Sequence, residues 1–169
     1  LSSSEIIAEG VTTFCVGGYV VLSGNKGGKW NTGEETTSIS VKSSGMYYVI
    51  NTNECGNVIS NSIIVNVNPL PLCRIDGKDT FCEGQSTQLC ATGGMGYFWN
   101  TEETSPCIEV NKESTYFISV SDSNGCISTC SKKVSEMLSP SCLITGDLNP
   151  KAGKITALCV RAEMASYLW

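Results

Sequence analysis

One string of residues occurs twice in this chain. Trp99-Asn100-Thr101-Glu102-Glu103-Thr104 is followed by Ile108-Glu109-Val110 and Tyr116-Phe117-Ile118-Ser119-Val120. Earlier, Trp30-Asn31-Thr32-Gly33-Glu34-Glu35-Thr36 is followed by Ile39-Ser40-Val41 and Tyr47-Tyr48-Val49-Ile50. Trp30 and Trp99, Ile39 and Ile108, and Tyr47 and Tyr116 are separated by one common interval of about 70 residues, the mark of an internal repeat. Leu22 matches Leu89 and then Leu158, and Trp30 matches Trp99 and then Trp169, so a third copy starts and runs to its first tryptophan. The expected organisation is a first repeat over residues 1–71, a second over 72–141, and the truncated start of a third over 142–169. A stretch as short as the third cannot bury a core of its own. The chain therefore reads as an excerpt of a longer repetitive protein, with a partner chain completing the last copy as the alternative.

Each copy breaks into short runs rich in β-branched and aromatic residues, divided by Gly- and Asn-rich turns, with no convincing helical period. In the first copy the runs are Ile6 to Ala8, Tyr19 to Ser23, Lys29 to Asn31, Ser38 to Lys42, Gly45 to Thr52 and Ile59 to Asn68. In the second they are Cys73 to Asp76, Ser86 to Thr92, Tyr97 to Asn100, Cys107 to Asn111, Thr115 to Ser121 and Ile127 to Glu136. Phe14-Cys15-Val16-Gly17-Gly18 reads as a turn. Six or seven short strands at regular spacing predict an all-β fold, an antiparallel β-sandwich in each copy. The crossing from the tryptophan strand to the next is open between a hairpin and a short sheet-switching strand. The junctions Asn68-Pro69-Leu70-Pro71 and Leu138-Ser139-Pro140-Ser141 are short and Pro-containing, which predicts modules set end to end with restricted freedom.

The chain has ten cysteines and no histidine. The cysteines recur with the repeat and lack the paired spacing of zinc ligands, which favours disulfides and an oxidising, extracellular location. A repeat of this size has a marginal core and gains from such staples. The first copy holds only Cys15 and Cys55, so these are expected to pair, as are their counterparts Cys82 and Cys126. Four cysteines remain in the second copy. Aligned on the leucines, Cys73 falls on Ile6 and Cys90 on Ser23; Cys107 falls on Ser38; counted back from the prolines, Cys130 falls on Ile59. Matched replacements, Ile with Ile and Ser with Ser, select Cys73–Cys130 and Cys90–Cys107 from the 15 pairings that six cysteines allow. Cys142 and Cys159 are left for partners beyond the third copy's start.

The pattern Phe-Cys-x-Gly, a strand, Trp-Asn-Thr-x-Glu-x-Thr, Ile-x-Val, Gly-x-Tyr-x-Val and Asn-Gly-Cys resembles the immunoglobulin-like repeats of very large secreted surface proteins of the Bacteroidota. The resemblance covers both full copies and the remnant, and the second copy departs from it at Glu102, which replaces Gly33, and at Ser114, which replaces Gly45. It implies tandem immunoglobulin-like β-sandwiches, stapled by disulfides, in chains exported by type IX secretion, gliding adhesins among them. The repeat type carries no catalytic residues, and the same module serves adhesins, enzymes and fibres.

Function classes narrow accordingly. Net charge is −5, with Lys and Arg scattered, which disfavours a nucleic-acid partner. No apolar run is long enough to span a bilayer as a helix. Trp30 and Trp99 could stack on sugars, but recurrence at one position of each copy assigns them to the core; Tyr97, opposite Gly28 of the first copy, is a weaker ligand candidate. Glu34-Glu35 and Glu102-Glu103 are adjacent carboxylates in a polar turn, unlike an acid/base pair set in two environments. Asp122-Ser123-Asn124 offers oxygens but not the full spacing of a calcium loop. The expected protein is not an enzyme and needs no cofactor or metal. It is a structural or adhesive segment of a surface protein, a rod that could assemble into a fibre, with neighbouring repeats of the same chain as partners. The alternatives are a polysaccharide- or surface-binding module, or accessory repeats of a larger secreted enzyme.

Overall fold

The computed structural model describes residues 5–139, 144–145 and 159–160. All regular structure among them is β. The first set of strands is β1 (Ile7–Ala8), β2 (Thr13–Cys15), β3 (Val20–Ser23), β4 (Lys29–Trp30), β5 (Ser38–Val41), β6 (Gly45–Tyr47), β7 (Val49–Asn53), β8 (Gly56–Ile59) and β9 (Ile63–Asn68). The second is β10 (Arg74–Gly77), β11 (Thr80–Cys82), β12 (Thr87–Thr92), β13 (Gly96–Trp99), β14 (Cys107–Val110), β15 (Ser114–Ser121) and β16 (Ile127–Met137).

In the second set, β10-β12-β14 form one sheet and β11-β16-β15-β13 another. Strand alternation turns Leu89, Ala91, Ile108 and Val110 of the first sheet toward Phe81, Trp99, Tyr116, Ile118, Val120 and Val134 of the second, and these make a single buried cluster. The first set follows the same order. Its β1-β3-β5 sheet has the same register, with Leu22 opposite Ile39 as Leu89 is opposite Ile108. Its second sheet is divided into β2-β9-β6 and β4-β7-β8. The division has a local cause. Tyr47 is opposite Ile63 and Ile50 is opposite Ile59, so the β8–β9 side carries one extra residue, a β-bulge at 60–62. Ile6, Val20, Leu22, Trp30, Ile39, Val41, Tyr47, Val49 and Val65 form a second, separate buried cluster.

Three expectations are corrected. Phe14-Cys15 belongs not to a turn but to strand β2, and Phe81-Cys82 to β11; both strands run parallel to the last long strand of their set. The sheets that contain β2 and β11 are thus mixed, while the β1-β3-β5, β10-β12-β14 and β4-β7-β8 sheets are purely antiparallel. The run from Ile59 to Asn68 is interrupted by the bulge. Between Trp30 and Ser38 the chain leaves one sheet for the other without an intervening strand. The carbonyl of Thr36 accepts from Trp30 Nε1 (2.8 Å) and from Asn25 Nδ2 (2.8 Å), which pins this crossing. In the second set Ser105 O accepts from Trp99 Nε1 at 2.9 Å. Beyond residue 139, Thr145 lies opposite Cys159 as Asp76 lies opposite Cys90, so one pairing recurs a third time.

Candidate binding face and exposed thiols

Each Trp-Asn pair divides its work between core and edge. The Trp30 and Trp99 rings are 1% and 0% exposed, so neither is a sugar platform. The following asparagines clasp the adjacent strand. Asn31 Nδ2 donates to Met46 O (2.9 Å) while its Oδ1 accepts from Tyr48 N (3.1 Å); Asn100 does the same with Thr115 O (3.3 Å) and Phe117 N (3.0 Å). Tyr97 is also turned inward. It packs half-buried against the Trp99 cluster of its own strand set and its hydroxyl donates to Gly94 O at 2.9 Å.

The residues that alternate with this buried row make the notable surface. Phe98 lies opposite Ser119, Phe117 opposite Ser131, and Ser121 opposite Ile127. Phe98, Phe117 and Ile127 are all more than half exposed, with Ser119, Ser121, Thr129 and Ser131 between and around them. A shallow recess of about 220 Å³ runs between Gly96, Phe98, Ser119, Ser121 and Ile127. Aromatic rings set among hydroxyls can stack on an apolar or sugar face and hydrogen-bond its edges. In the first set Lys29 occupies the place of Phe98 and Tyr48 that of Phe117, so the face is not repeated. Attention to Tyr97 alone misses it; the alternation that buries Trp99 and Tyr116 also turns Phe98 and Phe117 outward.

The acidic turns are scaffolding. Trp30 N donates to Glu34 O and Trp99 N to Glu103 O, and the carboxylates face solvent. The side-chain hydrogen bond from Thr32 holds the Glu34 carboxyl below the ordinary carboxylate range. Asp122 Oδ1 accepts from Asn124 N (2.8 Å) and Cys126 N (2.9 Å), so this carboxylate closes its own turn. Among the described residues no three His, Cys, Asp or Glu groups gather as ligands of a metal ion.

The cysteines divide differently from expectation. Disulfides join Cys73 to Cys130, Cys90 to Cys107, and Cys15 to Cys126. Cys55 and Cys82 are exposed free thiols. The expected Cys15–Cys55 and Cys82–Cys126 pairs are therefore replaced by one bridge between the two strand sets. Geometry forbids the expected Cys82–Cys126 pair. Cys82 lies opposite Met137, at the far end of the eleven-residue strand β16, whereas Cys126 immediately precedes that strand. At about 3.3 Å per residue the two are roughly 35 Å apart, and a disulfide needs Cα atoms within about 7 Å. Cys142 lies outside the described residues, and only the backbone of Cys159 is described.

No family model and no curated protein matches the chain. Among solved structures it is similar to a C-terminal 282-residue fragment of intimin in complex with the intimin-binding domain of the translocated intimin receptor (16% identity, 88% of this chain, 67% of that one, TM-score 0.39). It is also similar to the N-terminal four Ig domains of Dscam1 isoform 4.4 (12% identity, 81% of this chain, TM-score 0.27), of which it spans 47%.

Proposed function

We propose that this chain is a structural and adhesive segment of an extracellular surface protein, built as a rod of tandem immunoglobulin-like β-sandwich modules. The observation that carries this reading is the Cys15–Cys126 bridge, a covalent tie between two strand sets with separate apolar cores. Three disulfides support an oxidising compartment. The immunoglobulin-like reading is supported by a buried tryptophan in each set and by a tyrosine whose hydroxyl bonds the backbone four residues upstream: Tyr47 to Ser43 O and Tyr116 to Lys112 O, both 2.9 Å. The motif resemblance to Bacteroidota surface repeats agrees with this assignment. The role is mechanical: the bridge shields the chain between its ends from load.

Pulling the chain by its termini tests this. In the oxidised form the stretch from Cys15 to Cys126, a sequence separation of 111, stays out of the extension. Reduction then releases roughly 390 Å, at about 3.5 Å per residue. An oxidised chain that already yields its full contour length would overturn the shielding role.

A second reading, a binding module for polysaccharide or another surface ligand, is favoured by the face of Phe98, Phe117 and Ile127. It expects retention on a glycan array that disappears in the Phe98→Ser/Phe117→Ser variant while the fold persists. No retention of the unmodified chain excludes a glycan ligand.

A further inference from the structure

Among the described residues, the free thiols Cys55 and Cys82 occupy the same positions in their sets as the bridged Cys126 and Cys15. Cys15 ends strand β2, lies opposite Asn68, and is followed by a turn in which Gly18 N donates to Cys15 O (3.0 Å). Cys82 ends strand β11, lies opposite Met137, and is followed by a turn in which Gln85 N donates to Cys82 O (2.9 Å). Asn68 and Met137 each end the last strand of their set, so Cys15 and Cys82 lie where the chain leaves each set. At the opposite end, Cys126 sits in a turn closed by Asp122 Oδ1, and Cys55 in one closed by Asn53 Oδ1, which accepts from Cys55 N at 2.8 Å. The Cys126 turn faces the start of the second set: Met95 N bonds Ser121 O, and neighbouring Gly93 is packed against the carbonyl of Leu72. The observed bridge thus runs from the outgoing end of one set to the incoming end of the next.

We propose that this bridge is one link of a covalent series, in which Cys82 is the outgoing and Cys55 the incoming thiol for further modules of the same type. The partner of Cys82 is a turn cysteine placed as Cys126 is, on a module that follows in the same polypeptide. The partner of Cys55 is a strand-end cysteine placed as Cys15 is, on a module that precedes. Two observations support this beyond exposure of the thiols. The equivalent pair is bonded in this same chain, and a recess of about 260 Å³ lined by Lys78, Phe81, Cys82, Thr87 and Met137 opens beside the outgoing thiol. Bridge formation is thiol–disulfide exchange. The Cys82 thiolate attacks a low-molecular-weight disulfide such as oxidised glutathione and expels one thiolate. The partner cysteine's thiolate then attacks the mixed disulfide and expels the other, so two protein thiols are oxidised and two glutathione thiols, which take up the two protons, are formed.

This inference rests on the modular reading above, and the test separates the two. A second copy of residues 73–141, marked by Glu83→Asp and Ser123→Thr, is inserted between residues 141 and 142 of the full chain, which is then refolded in a glutathione redox buffer. Non-reducing peptide mapping with thiol alkylation reads every bridge. The inserted copy's own Cys73–Cys130 and Cys90–Cys107 bridges report that it folds as a module; their absence would overturn the modular reading itself. With them present, the expected result is a bond from the original Cys82 to Cys126 of the inserted copy, at least a tenfold fall in alkylation of Cys82, and a free thiol at Cys82 of the copy. Cys82→Ser at the original position should leave Cys126 of the copy alkylatable. A folded insert in which the original Cys82 stays free, or in which Cys126 of the copy bonds Cys82 of its own copy, would refute the series.

Discussion

Glu102 carries a left-handed backbone, with φ of 72° at the turn after Trp99; Gly33, with φ of 108°, holds the equivalent place. Both donate their N–H to the preceding tryptophan carbonyl, at 3.0 and 2.8 Å, so the turn is shared and only the residue differs. A side chain in this region costs about 1–2 kcal/mol, against about 0.5–1 kcal/mol for the extra entropy a glycine loses on folding. Glu102→Gly should therefore stabilise the second strand set by about 0.5–1 kcal/mol, and Gly33→Glu should destabilise the first. Denaturant midpoints with disulfides intact measure both, and a fall in the midpoint for Glu102→Gly would mean that another contact of Glu102 outweighs the strain. The repeat displays the substitution in the sequence, but its cost appears only with the backbone angle. The Cys90–Cys107 pair is more legible. Its counterparts Ser23 and Ser38 stand directly opposite each other in the equivalent register, so a matched replacement there reports a spatial pair.

The first strand of each set is tied across to the opposite sheet, by different chemistry. In the second set the tie is Cys73–Cys130. In the first, Asn61 Oδ1 accepts from Ile6 N and Asn61 Nδ2 donates to Ile6 O, both at 2.8 Å. The sequence alignment that sets Cys73 on Ile6 and Cys130 on Ile59 does not survive the registers. Ile7 opposite Ser23 corresponds to Asp76 opposite Cys90, which places Ile6 at Ile75; Ile50 opposite Ile59 corresponds to Ser119 opposite Thr129. Ile59 is in fact exposed. Unequal turns and the bulge shift the alignment, and an asparagine clamp leaves no signal that distinguishes it from a loop residue. Asn61→Ala should cost about 1–2 kcal/mol for its two bonds, below the ~2–4 kcal/mol expected for removing Cys73–Cys130. Hydrogen exchange locates the loss: amide protection should fall at Ile6 and Glu9 and persist across β3–β5. Uniform loss over the whole first set would show that β1 is integral to its core.

The whole molecule depends on how two separately cored strand sets are joined. Strand content and the Trp, Ile and Tyr core positions are readable because alternation and the repeat enforce each other. The joint is not, because comparison of copies treats each copy as closed, and the parallel pairing that carries Cys15 and Cys82 to the far end of their sets links residues far apart in sequence. Apolar packing is a poor candidate for holding the joint. Val11, Val16, Leu70 and Leu72 remain 75%, 54%, 45% and 73% exposed, so little surface around the linker is withdrawn from water. The remaining constraints are the Pro69-Leu70-Pro71 linker and the Cys15–Cys126 bridge. A single short linker leaves rotation about its own bonds, whereas a second covalent attachment removes most of it. The double variant Cys15→Ser/Cys126→Ser should therefore keep both cores folded while lowering stability by about 2–4 kcal/mol, because the bridge closes a long loop through both sets (sequence separation 111) and its loss frees the unfolded chain. It should at the same time broaden the distribution of inter-set orientations, seen as separate alignment tensors in residual dipolar couplings and a wider distance distribution in solution scattering. Unfolding of one set would make the bridge part of that set's fold. An unchanged orientation distribution would assign the geometry to the prolines alone.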